Sequence, residues 1–186
     1  MLLLGSAFAR IPLLSLRVSA PVGKVIGHLI NPHNLKVEAL WCKSSISKNP
    51  MLLLARDIRD TSPKGIIIDD LDALIEKQDA LRLRDIIALN YDLVGKKVIS
   101  GRISLGKVAD YALDREGYTV QKLYVSPNAW GMLRSTQLTI GRSQIVEVSP
   151  SYVKVAPSEK TIAEQKSIRT QSPVNSLPAS ASLTEE

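Results

Sequence analysis

The chain has 186 residues, 45% hydrophobic and 23% charged, with a net charge of +6. That length admits one ordinary domain or two small ones, and the composition excludes a wholly disordered chain. The single cysteine, Cys42, excludes an intrachain disulfide framework. No run approaches the roughly 18 to 20 apolar residues of a membrane-crossing helix, so the expected compartment is the cytoplasm.

Leu2 to Leu4 read as a short first strand, because the apolar run is brief and lacks the basic n-region of a signal peptide. An internal repeat then organises the chain. A shift of 83 residues lays Gly23-Lys24-Val25 on Gly106-Lys107-Val108, and Val37, Leu40 and Trp41 on Val120, Leu123 and Tyr124. Within the same stretch Asn31-Pro32-His33-Asn34 falls on Asp114-Arg115-Glu116-Gly117. Asn or Asp opens such a turn by bonding its own backbone, and Asn34 or Gly117 is expected to take the left-handed conformation that closes it.

Each copy therefore contains a β-hairpin, with arms near Lys24 to Ile30 and Leu35 to Cys42, then Lys107 to Leu113 and Tyr118 to Val125. These arms are rich in Val, Leu and aromatic residues. Further on, Asp57-Ile58 and Ile66-Ile67-Ile68 match Gln137-Leu138 and Ile145-Val146-Glu147-Val148 at an offset of 79 to 80. Ser62-Pro63-Lys64-Gly65 reads as the turn before a buried strand, and Tyr152 to Val155 as the last strand. Leucine and isoleucine at helical spacing predict a helix over Gln78 to Leu89, with a single turn at Leu71 to Ile75 ahead of it. After Ala156 the chain is rich in Ser, Thr, Pro and Glu and poor in large apolar residues, the composition of a disordered tail. The expected organisation is mainly β: a first small β-barrel over 1–70, a helical connector over 71–90, a second barrel over 91–156 and a disordered tail over 157–186.

Motifs for chemistry are sparse. Gly101-Arg102-Ile103-Ser104-Leu105-Gly106-Lys107 has the spacing of a phosphate-binding loop, but Val108 replaces the magnesium-binding Ser or Thr and a strand follows where a helix is required. His28 and His33, the only histidines, have no cysteine partners at metal spacing. Cys42 lacks an activating base nearby in sequence, and Asp69, Asp70 and Asp72 suit a helix start. No catalytic residue, metal, cofactor or small-molecule substrate is implied. Lys96, Lys97, Arg102 and Lys107 form a candidate basic strip, able to touch phosphate of ribosomal RNA. Aromatics, at 4%, are too few for a base-stacking platform. A candidate partner-binding loop contains Trp130, Met132 and Leu133, with Met51 in the comparable region of the first copy. Trp130 either anchors a partner or closes the end of its own barrel.

The repeat resembles the PRC-barrel family, the small β-barrel of the photosynthetic reaction-centre H subunit and of the C-terminal half of RimM-type ribosome-maturation factors. The resemblance rests on Val22-Gly23-Lys24-Val25, Ile30-Asn31-Pro32 and Val37-Glu38-Ala39-Leu40, and on Leu105-Gly106-Lys107-Val108, Leu113-Asp114 and Val120-Gln121-Lys122-Leu123. Asp57-Ile58 and Gln137-Leu138 match the family's late segment. The chain is similar to tandem two-copy bacterial members and covers the pattern to about Val155. Such barrels serve as interaction modules in unrelated settings, so the resemblance implies a protein partner, with ribosome maturation as one version. Association with a membrane surface or cell envelope is the alternative it permits.

Overall fold

The computed structural model describes residues 2–62, 64–127 and 137–157. The fold is mainly β, with two sheets, one of them a half-barrel, and one short α-helix. The strands in chain order are β1 (Leu2–Leu4), β2 (Pro12–Ser15), β3 (Ala20–Asn31), β4 (Lys36–Ser44), β5 (Met51–Leu54), β6 (Asp60–Ser62), β7 (Gly65–Ile68) and β8 (Leu74–Ile75). Helix α1 (Arg84–Leu89) follows, then β9 (Lys97–Ser100), β10 (Ile103–Asp114), β11 (Val120–Ser126), β12 (Leu138–Gly141), β13 (Ile145–Val148) and β14 (Tyr152–Val155). The first sheet runs β6-β7-β2-β3-β4-β5-β8, and the second runs β12-β11-β10-β9-β14-β13 with β1 added alongside β10. Among the described residues no ladder joins β6 to β8 or β12 to β13, so hydrogen bonding closes neither sheet on itself.

The repeat is present down to its irregularities. Bulges interrupt the β3/β4 ladder between Val25 and Gly27 and between Leu29 and Ile30. The β10/β11 ladder is interrupted at the equivalent Val108/Asp110 and Ala112/Leu113. The left-handed turn residues are not Asn34 and Gly117 but their successors, Leu35 at φ 54° and Tyr118 at φ 51°. Asn34 instead accepts the Lys36 N–H on its side-chain oxygen at 2.9 Å, while the Leu35 N–H reaches the Asn31 carbonyl at 2.8 Å. A left-handed non-glycine costs roughly 1–2 kcal/mol. Here it turns Leu35 and Tyr118 inward, to 4% and 8% exposure, and burial of a large side chain returns about 1.5–3 kcal/mol.

Beyond the hairpins the sequence match has to be corrected. Leu52 lies opposite Trp41 and Thr139 opposite Tyr124, so the offset grows to 87 rather than falling to 79 or 80. The counterpart of Ile66-Ile67-Ile68 is Val153-Lys154-Val155, because β7 and β14 are the strands that run parallel to β2 and β9, with Leu13 beside Ile66 and Val98 beside Val153. Ile145–Val148 corresponds to β6.

The connector meets its expectation in part, with a 3-10 turn at Leu71–Ala73 where a single turn is expected. Leu74–Ile75 is a strand on the free edge of β5, and the α-helix covers only Arg84–Leu89, after a 3-10 turn at Leu81–Leu83. Pairing with an open sheet edge satisfies backbone groups that a helix at this point would leave to its own termini. Asn90, left-handed at φ 44°, stops the helix.

The described residues up to Ala156 form one compact unit, in which the two repeats are halves of a single body. One apolar core runs through both, from Leu13, Val25 and Leu40 to Val98, Val108 and Leu123. The segment leading into each repeat crosses to the other. Leu3 of β1 pairs with Leu113 of β10, and α1 packs on β3. The hairpin tips meet by two reciprocal bonds, Val37 N–H to the Tyr118 carbonyl and Val120 N–H to the Leu35 carbonyl, each 2.9 Å. These four residues are equivalent in pairs under the 83-residue shift, the pattern of a two-fold isologous interface built within one chain.

Candidate interaction surface

Strand parity decides which side chains of the first sheet reach solvent. On β4, Leu40, Cys42 and Ser44 point into the core, which leaves Ala39, Trp41 and Lys43 on the outer face. The connector folds back over part of this face, where Ala80 and Ile87 cover Leu29, Ala39 and Leu52 in a second apolar cluster that Trp41 borders. Past its edge lies an open groove of about 570 Å³, lined by Ile26, Gly27, Trp41 and Pro50 with Glu76 and Lys77 on the rim. Ile26 is 47% exposed because it sits in the bulge between Val25 and Gly27. A Cβ at Gly27 would stand 3.6 Å from Trp41 Cδ1, so a side chain larger than alanine there would fill the groove. In the second repeat the equivalent of Gly27 is Asp110, whose carboxylate accepts the Ser6 N–H at 3.1 Å and the Ser6 hydroxyl at 2.5 Å.

Beside the groove Lys24 lies directly opposite Lys43, and both are exposed. In the second repeat Lys107, the equivalent of Lys24, lies opposite Lys97 and is exposed with it. Like charges directly opposed across a ladder destabilise it. Among the described residues no ion pair engages Lys24, Lys43, Lys48 or Lys77.

The structure brings only part of the predicted basic strip together. Lys97 and Lys107 are neighbours, Lys96 lies over the Tyr91 ring with Nζ 5.1 Å from its centroid, and Arg102 sits apart in the turn at the far end of the β9–β10 hairpin. Trp130, Met132 and Leu133 lie outside the described residues. Met51 is the first residue of β5, 6% exposed and part of the core, so the loop reading applies to Asn49 and Pro50 and not to it. Sequence reasoning missed Trp41 as a surface residue, since Ala39-Leu40-Trp41-Cys42 is an unbroken apolar run that hides its alternation.

The residues with chemical potential are held in structural roles. Burial pushes the Cys42 thiol up to about 12, with a backbone hydrogen bond from Leu53 acting weakly against it, so the thiol stays protonated and a poor nucleophile. His28 Nδ1 lies 2.7 Å from the Tyr111 hydroxyl, and Phe8 stands edge-on to the imidazole at 5.2 Å. Burial lowers His28 to about 4 against the opposing pull of Asp92 and Asp110, so the ring is neutral. Asp70 and Asp72 stand at the start of the 3-10 turn Leu71–Ala73, and Asp69 and Asp70 form ion pairs with Arg59 and Arg17. Gly101 to Lys107 is a hairpin turn running into β10. Gly106, at φ 136°, belongs to a bulge under the Ser126 carbonyl.

No described helix is long and apolar enough to cross a membrane. Among models of known protein families none matches the chain, and no curated protein matches it either.

Proposed function

We propose that the chain is a non-enzymatic cytoplasmic adaptor of the PRC-barrel type, whose two fused repeats present outer sheet faces to another protein. The observation that carries this reading is the groove at Trp41, an indole beside an exposed Ile26 and Pro50 with a polar rim. Tryptophan in a partly desolvated apolar setting is a common binding anchor. The neutral, enclosed His28 and the high-pKa Cys42 support a role without nucleophilic or acid-base chemistry.

The specific version drawn from the family resemblance is a protein partner in ribosome assembly. The alternative is a membrane-surface organiser, which the opposed lysine pairs of both repeats would serve on anionic lipid. Co-sedimentation of the full chain with ribosomal particles and, in parallel, with phosphatidylglycerol-containing liposomes separates the two. The adaptor reading expects retention with the particles that drops in Trp41→Ala and Gly27→Leu at unchanged circular dichroism. Retention on liposomes alone, unaffected by either substitution, would replace it with the membrane reading.

A further inference from the structure

The Trp41 groove combines an apolar floor with one acid, Glu76, and one base, Lys77, among its described lining residues, and three further exposed lysines lie on neighbouring stretches of the chain. Lys24 and Lys43 face each other on the same two strands that carry Gly27 and Trp41, Lys48 precedes the Asn49-Pro50 wall, and Lys77 belongs to the lining. The Glu76 carboxylate accepts a hydrogen bond from Gln78 at 2.9 Å. The protein thus retains a directly opposed lysine pair that costs it stability, next to exposed apolar surface that costs it solubility. A ligand with negative charge flanking an apolar side chain would relieve both.

Building on the adaptor reading above, we infer that the occupant of this groove is an acidic peptide segment carrying a bulky apolar anchor. The anchor seats between Ile26, Trp41 and Pro50 over the bare Gly27 backbone, and flanking carboxylates meet Lys24, Lys43 and Lys77. Single-stranded nucleic acid would also satisfy the lysines. It gains affinity chiefly from successive bases on successive rings, and the groove offers one indole with no second aromatic among the described lining residues. The second repeat cannot bind in the same way, because Asp110 occupies the position of Gly27 and brings a like charge to the ligand.

The test uses the full chain with Trp130→Phe, so that Trp41 is the one remaining tryptophan and its emission reports on the groove. The probes are a short peptide of Glu-Glu-Leu and Glu-Glu-Phe units, a polyglutamate of equal length, a peptide with lysine in place of every glutamate, and an oligouridylate. The expected result is a saturable blue shift with the acidic apolar peptide. That binding weakens by roughly tenfold or more in Lys24→Glu/Lys43→Glu and at raised salt. It is lost in Gly27→Leu, and polyglutamate and the lysine peptide leave the emission unchanged. Both variants change exposed or half-exposed positions, and a retained melting temperature separates loss of binding from loss of fold.

Equal or tighter saturation by oligouridylate would overturn the inference in favour of a nucleic-acid groove, and no saturable shift with any probe would overturn it outright. Ribosomal-particle retention that survives Lys24→Glu/Lys43→Glu while the peptide fails to bind would sink the acidic-peptide site and leave the adaptor reading standing. Peptide saturation without any macromolecular retention would do the reverse.

Discussion

The Tyr111 hydroxyl lies 2.7 Å from Nδ1 of His28, and the two residues hold the same position in the two repeats, 83 apart in sequence. Their rings meet edge to face, with centroids 5.9 Å apart. Equivalent positions can touch each other only near the axis that relates the repeats, so this pair marks the centre of the internal two-fold. The position has diverged into a donor and acceptor that fit together, which two copies of either residue would do less well.

Burial of His28 at this contact makes stability depend on pH. His28 has its pKa lowered to about 4 in the folded state, chiefly by burial, with Asp92 and Asp110 opposing. The unfolded chain, with an ordinary value of about 6.5, binds more protons between these limits. The contribution is therefore fully present above about pH 6.5 and is lost as pH falls toward 4, in total on the order of 3 kcal/mol. Urea midpoints at pH 7 and pH 4.5 should separate by more in the wild type than in His28→Gln, which starts lower but lacks the titration. Parallel pH profiles for the two proteins would show that His28 is not the group responsible.

Gly106 and Gly101 give opposite answers to the same substitution. At Gly106 an added Cβ would stand 2.0 Å from the Ser126 carbonyl oxygen, with φ at 136°, so both backbone contact and conformation forbid it. At Gly101, φ is 60° and nothing lies within 4 Å. Gly106→Ala should cost at least about 3 kcal/mol, and Gly101→Ala about 1–2 kcal/mol from left-handed strain alone. Thermal melts of the two variants check this, and equal losses would contradict the bulge geometry.

Cys42 provides a probe of the interior. Its side chain is fully buried and its pKa is pushed up to about 12. Iodoacetamide should label the folded protein at pH 8 slower than the urea-unfolded chain by roughly a thousandfold, the thiolate fraction alone accounting for that factor. Comparable rates in the two states would mean that the β4 face bearing Cys42 opens freely.

The hairpins were legible in the sequence because their arms are β-branched and apolar and because an ungapped shift aligned them. The left-handed sites were not, since Leu35 and Tyr118 carry none of the Gly or Asn signature that marks such positions; the burial they gain is a tertiary effect. The late strands were misaligned by residue type, as Ile66 to Ile68 look more like Ile145-Val146 than like Val153-Lys154-Val155, whereas pairing with the first strand of each repeat decides the match. Leu2 to Leu4 could be read as a strand, but nothing local says that its partner is β10, more than a hundred residues away. The groove was hidden for a similar reason: Trp41 served as a marker of the repeat, and its exposure depends on where the connector stops covering the sheet.

The shared core has a thermodynamic consequence that separates one body from two tandem barrels. Leu40 and Leu123 are both fully buried and belong to one apolar cluster, although they lie in different repeats. β1 and α1 each complete the half to which they are not attached in the repeat order. Neither half can unfold without exposing apolar surface of the other, so calorimetry of the full chain should show one transition with equal calorimetric and van't Hoff enthalpies. Leu40→Ala and Leu123→Ala should each cost about 2–5 kcal/mol and each move that whole transition. Halves split after residue 90 should lack cooperative melts when separate and regain one on mixing. Two resolved transitions, with each substitution shifting only its own, would show that the repeats are independent domains and that the reciprocal bonds of Leu35, Val37, Tyr118 and Val120 contribute little.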